Sequence, residues 1–154
     1  MTDQEVLQRI QAACVIARPE RFTNRDHCCE CADHDDLLRS RDLDSLAIQD
    51  VGNMGWDPIC FATDEAFYYY FPALARLALD APRPDWGWYF YNLVFHLTYE
   101  DGNNRRLAGA TPAQREAVLA FLEHVRDTRL ALCREYDCEA DLGRALAVWK
   151  GSER

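Results

Sequence analysis

The chain has 154 residues, with 26 acidic and 17 basic side chains, seven cysteines and a net charge of -9. That length fits one domain able to bury roughly two thirds of its unfolded surface, so neither metal nor disulfides are needed to make it fold. The negative balance disfavours phosphate backbones and anionic lipid heads, which argues against nucleic acid and membranes as partners.

An odd cysteine count in an ordinary helical pattern argues against a secreted disulfide framework and leaves reduced thiols or metal ligands. No charged-then-apolar leader precedes Thr2, and no apolar run reaches the ~20 residues that span a bilayer. The expectation is a soluble cytoplasmic protein.

In chain order, Thr2-Asp3-Gln4-Glu5 has the spacing of a capping box, and Val6, Ile10, Ala13, Cys14 and Ala17 recur at helical intervals until Pro19. This predicts a first helix over 2–18, with Cys14 on its apolar stripe as a small core residue. A polar connection over 19–26 follows, whose one large apolar residue is Phe22. A short helix over 33–40 is predicted from acids in its first turn and Arg39 near its end. Another over 45–51 ends at Gly52, and 52–58 reads as a turn-rich loop.

Thr63 caps a helix opened by Asp64 and Glu65 and continuing through Phe67-Tyr68-Tyr69-Tyr70-Phe71, where Pro72 forces a kink or a restart before 73–79. Asp85 caps a second aromatic helix. There Trp86, Tyr89, Phe90, Leu93, Val94 and Leu97 form one stripe, and Trp88, Tyr91 and Phe95 load the other side. Aromatics on every side predict two central helices filled by core packing, and they leave a homodimer open as the outlet for excess apolar surface. The loop over 100–109 is polar, and its adjacent Arg105 and Arg106 read as solvated. Thr111, Pro112 and Gln114 then give the clearest helix start in the chain, predicting a helix to about residue 136. Leu142, Ala145, Leu146 and Trp149 define a short last helix. No segment alternates with a period of two, so the expected fold is mostly or all α: a single compact helical domain over 1–150, with a disordered tail over 151–154.

Chemistry concentrates in one decade. Between His27 and His34 lie three cysteines and two histidines, the side chains that zinc and thiol chemistry use. Cys28, Cys31 and His34 stand at three-residue intervals and form the preferred ligand trio, while His27, Cys31 and His34 share a face if the helix begins earlier. A closed tetrahedral Zn2+ site needs a fourth ligand. His27, Cys29, Cys60, His96, Cys133 and Cys138 are the candidates, with Cys60 preferred because it follows the turn-rich loop. No second Cys/His pair stands at a zinc-ribbon distance, so bound zinc, unmetallated thiols and a reactive Cys28-x-x-Cys31 pair stay open. Against the reactive thiol, Glu30, Asp33, Asp35 and Asp36 raise nearby thiol pKa values, and the βαβ context of a thioredoxin is absent. Asp33, Asp35 and Asp36 with His34 could also take a harder metal, although acids in a first helical turn more often just start the helix.

The run His27-Cys28-Cys29-Glu30-Cys31 with His34-Asp35, then Gly52-Asn53 with Trp56-Asp57-Pro58, then Phe71-Pro72-Ala73-Leu74-Ala75, resembles an uncharacterised family of small bacterial proteins with a recurrent HCxEC element. The resemblance covers most of the chain from residue 20 onward. It implies a bacterial cytosolic protein and brings no activity or catalytic residue with it. An acidic chain without a catalytic motif fits a protein-binding or regulatory module with a basic partner. The rival expectation is a thiol-reactive or metal-dependent enzyme using Cys28, Cys31 and His34.

Overall fold

A computed structural model describes residues 1–151; Ser152, Glu153 and Arg154 lie outside the described residues, and most of the predicted tail lies with them. Among the described residues the fold is all α, with helices α1 (Asp3–Ala13), α2 (Cys29–Arg39), α3 (Ile48–Val51), α4 (Asp64–Leu79), α5 (Tyr89–Thr98), α6 (Arg105–Ala108), α7 (Pro112–Glu135) and α8 (Glu139–Lys150). Two 3-10 turns, Pro58–Phe61 and Asp101–Asn103, complete it. None of these helices is long and apolar enough to cross a membrane.

The core is built around α4. It is buried on nearly every side, as its aromatic sequence predicts, and packs against α1, α5 and α7. The helix runs on through Pro72 where the sequence predicted a kink or restart, because burial of Phe71, Pro72 and Ala73 holds a segment that local propensity alone would break. Buried hydroxyls and indoles find carbonyls: Tyr70 Oη donates to Leu38 O, Trp88 Nε1 to Ala78 O and Trp149 Nε1 to Leu97 O. These bonds fasten α2 to α4 and α8 to α5.

The first helix is shorter than predicted. It stops at Ala13 with a capping box at Thr2 and Glu5, and Cys14 closes it from inside the core. The following residues run on without helix, and the Arg18 guanidinium donates to Arg39 O and Arg41 O, so this segment serves α2 rather than α1. The second aromatic helix is one-sided. Tyr89, Phe90, Leu93, Val94 and Leu97 face the core, whereas Tyr91, Phe95 and Tyr99, spaced four apart, stand in an exposed row. The long α7 opens with the predicted Thr111, Pro112 and Gln114 cap. It breaks locally at Arg129, whose guanidinium reaches Asp3 and Leu79 O.

Candidate functional site

The α2 helix begins four residues earlier than the sequence reading placed it. Cys28 is its N-cap, and its sulfur accepts the Cys31 N–H. This start places His27, Cys28 and Cys31 around one point: Cys28 Sγ lies 3.5 Å from Cys31 Sγ, and Cys31 Sγ lies 3.6 Å from His27 Nδ1. All three ligand atoms fall within 4.8 Å of one another. His27 and Cys28 are exposed and Cys31 is buried, so the tripod rests on the core and opens outward.

The Cys28 thiol is lowered to about 7, chiefly by the Cys31 N–H and then by the His27 and Cys31 side chains. The acidic neighbours in the sequence predict the opposite; at Cys28 a helix N-terminus and the His27 imidazole outweigh them. Burial, then the adjacent Cys28 sulfur, pushes the Cys31 thiol up. All seven cysteines are free thiols.

His34 belongs to a different arrangement from the expected trio. It is buried, with its ring stacked on Phe61 (5.0 Å) and tilted against Trp56 (4.6 Å), and its Nε2 pairs with Glu30 at 3.2 Å. Its Nδ1 has no hydrogen-bond partner. Cys60, expected as the fourth ligand of the same site, is grouped elsewhere: its sulfur, a carboxylate oxygen of Asp57 and an imidazole nitrogen of His96 lie within 4.8 Å of one another. The physical reason is the 3-10 turn. Asp57 caps it by accepting the Ile59 N–H, and the turn directs Cys60 toward α5. Cys133 and Cys138 are buried near the junction of α7 and α8, and Cys29 is exposed beside the tripod without joining it.

The acids near the tripod hold structure. Asp35 is fully buried. Its Oδ1 accepts the Phe22 and Thr23 N–H groups at 2.7 and 3.0 Å, and its Oδ2 takes Arg25 at 2.6 Å and Arg39 at 2.9 Å. The connection that delivers His27 and Cys28 is thereby tied to the body of α2. Thr23 adds a bond to Cys31 O, and its backbone bridges to Ala62.

Arg106, expected from the sequence to be solvated, is buried. Its guanidinium donates to Ile59 O at 2.8 Å, Ala62 O at 3.0 Å and Asp64 Oδ1 at 3.1 Å, and it sits 4.7 Å over the Phe67 ring. It clamps the carbonyls on either side of the Cys60 turn. Nothing in the dipeptide Arg105-Arg106 says which of the two turns inward. A family model, for the DUF6714 family of unknown function, matches residues 25–149. The chain belongs to DUF6714. No curated protein and no solved structure matches this DUF6714 chain. The matched span contains both side-chain groups, His27/Cys28/Cys31 and Asp57/Cys60/His96.

Proposed function

We propose that this DUF6714 protein is a metal-binding module of the cytoplasm whose His27, Cys28 and Cys31 hold zinc, and whose aromatic surface row docks a protein partner. The observation that carries the metal reading is the spacing of the ligand atoms. Zn–S bonds of ~2.3 Å and Zn–N bonds of ~2.0 Å set tetrahedral ligand atoms about 3.5–3.8 Å apart. The separations of 3.5 Å between the sulfurs and 3.6 Å from Cys31 Sγ to His27 Nδ1 fall in or beside that range, and the third lies within 4.8 Å. Two sulfurs and one imidazole are a donor set for zinc rather than for magnesium or calcium.

The tripod comes from one short segment, and the fourth position of a tetrahedral ion faces outward, toward water or a group supplied by a partner. Metal here clips the 27–28 loop to the first turn of α2. Asp35 secures the same loop independently, so removing zinc with a chelator is expected to leave helical content unchanged by circular dichroism and to free Cys28 for alkylation. Equal alkylation rates with and without zinc contradict the reading.

A reactive-thiol function has one observation in its favour, the low Cys28 thiol 3.5 Å from Cys31 Sγ, the layout of an attacking and a resolving cysteine. The same alkylation series separates the two, since a redox pair reacts fast whether or not zinc is added.

For the partner, Tyr91 and Phe95 on α5 and Tyr99 at its C-cap form the exposed row, and the -9 charge favours a basic protein. A homodimer through the same row is the proposal for self-association. Sedimentation velocity reads it directly: a dimer that becomes monomeric on Phe95→Glu supports this face, and a monomer at high concentration refutes self-association.

A further inference from the structure

We propose that Asp57, Cys60 and His96 are the protein ligands of a second metal site, separate from the tripod, which takes a borderline divalent cation such as Zn2+, Co2+ or Ni2+. The three ligand atoms lie within 4.8 Å of one another, with His96 Nε2 only 2.9 Å from Asp57 Oδ2. Convergence of this kind differs from a nucleophilic Cys-His-Asp line. In such a line the imidazole stands between thiol and carboxylate, each on its own ring nitrogen, and the two end groups are kept apart. Here the sulfur, a carboxylate oxygen and one imidazole nitrogen all lie within 4.8 Å of one another.

The surroundings are built for fixed ligands. Asp57 spends Oδ1 on the Ile59 N–H and keeps Oδ2 toward His96. Arg106 holds Ile59 O and Ala62 O, on either side of Cys60. The buried Asn104 side chain donates to His96 O and Tyr99 O, which fixes the end of α5. Entry is open, because Cys60 and His96 line a cleft of about 350 Å³ with Phe95, Tyr99, Asn104 and Arg106. One sulfur, one nitrogen and one oxygen donor select a borderline cation over Mg2+ or Ca2+.

The test uses Co2+ on untagged full-length protein, read by equilibrium dialysis and by thiolate-to-cobalt absorption. In a Cys28→Ser/Cys31→Ser background, which disables the tripod, one equivalent of Co2+ with a thiolate band is expected. Adding Cys60→Ser to that background should abolish the band, and adding His96→Gln should weaken binding at least tenfold. Because Cys60 is exposed, its serine variant is expected to stay folded, with circular dichroism as the check. Absence of Co2+ binding in the tripod-disabled protein overturns the second site, as does a band that survives Cys60→Ser. Under either result Cys60→Ser alone reports on the tripod, so the failure of one site is distinguishable from the failure of the other.

Discussion

Asp35→Ala is expected to lower the unfolding free energy by about 4 kcal/mol, a large part of the 5–15 kcal/mol that ordinary domains possess. The truncation strands the buried Phe22 and Thr23 N–H groups and leaves Arg25 and Arg39 facing the same void. Each orphaned buried amide costs about 1–3 kcal/mol. Asp35→Asn keeps an acceptor for the amides and loses only the charge, so about 2 kcal/mol is expected there. The pH dependence has a definite sign. Burial alone would raise the Asp35 carboxyl, but the two amides and the two arginines together hold it at about 2, below its ordinary 3.8. A depressed pKa gives stability that is complete above pH ~4 and is lost as pH falls toward 2, about 2 kcal/mol from this group. Urea titrations across that range should show a loss about 2 kcal/mol larger in the native protein than in Asp35→Asn, which keeps the contribution of Asp3, also lowered to about 2. An Asp35→Ala protein within about 1 kcal/mol of native contradicts the anchoring role.

The second large effect is expected at Arg106. Replacement by Met fills the same channel and removes five donors, leaving Ile59 O with the Ala62 N–H alone and Ala62 O with Arg105 alone. Swapping a buried ion pair for apolar packing can be neutral when both partners go. Here the partners are mainly carbonyls, which remain, and Asp64 is partly exposed and stays hydrated. The expected cost is about 3 kcal/mol, dominated by those carbonyls and the lost stacking over Phe67. Arg106→Lys should recover part of it, since an ammonium reaches one carbonyl but cannot fork. Thermal unfolding of the two variants reads the difference. Equal stability of Met and Lys variants would show that the fork does not hold the Cys60 turn.

Helices were legible wherever a cap and a sustained period agreed. Thr2 with Glu5, Thr63, and Thr111 with Pro112 each start a helix where the sequence places it. Ends and continuity were less legible. Pro72 is enclosed by core contacts that no local rule registers, and Val15 to Arg18 leave the helical path where Arg18 finds carbonyls at and just past the end of α2. For the candidate site, the decade 27–36 holds a converging group of side chains, and which of them converge depended on helix register. A start at Cys29 turns His34 inward against Phe61 and Trp56 and brings His27 into the tripod. The second group carried a weaker signal. His96 is a polar residue on the apolar stripe of α5 and needs a partner there, and Asp57 before Pro58 has the form of a turn cap; their meeting is a tertiary contact.

The central claim is a metal ion on His27, Cys28 and Cys31, and elemental analysis of untagged protein purified without chelators tests it most directly. The account predicts stoichiometric zinc in the native chain, a loss of about one equivalent in Cys28→Ser because a neutral hydroxyl replaces a thiolate poorly, and no loss in Cys14→Ser, whose thiol lies in the core. Native protein without stoichiometric transition metal, or a Cys28→Ser variant with the full native complement, contradicts it.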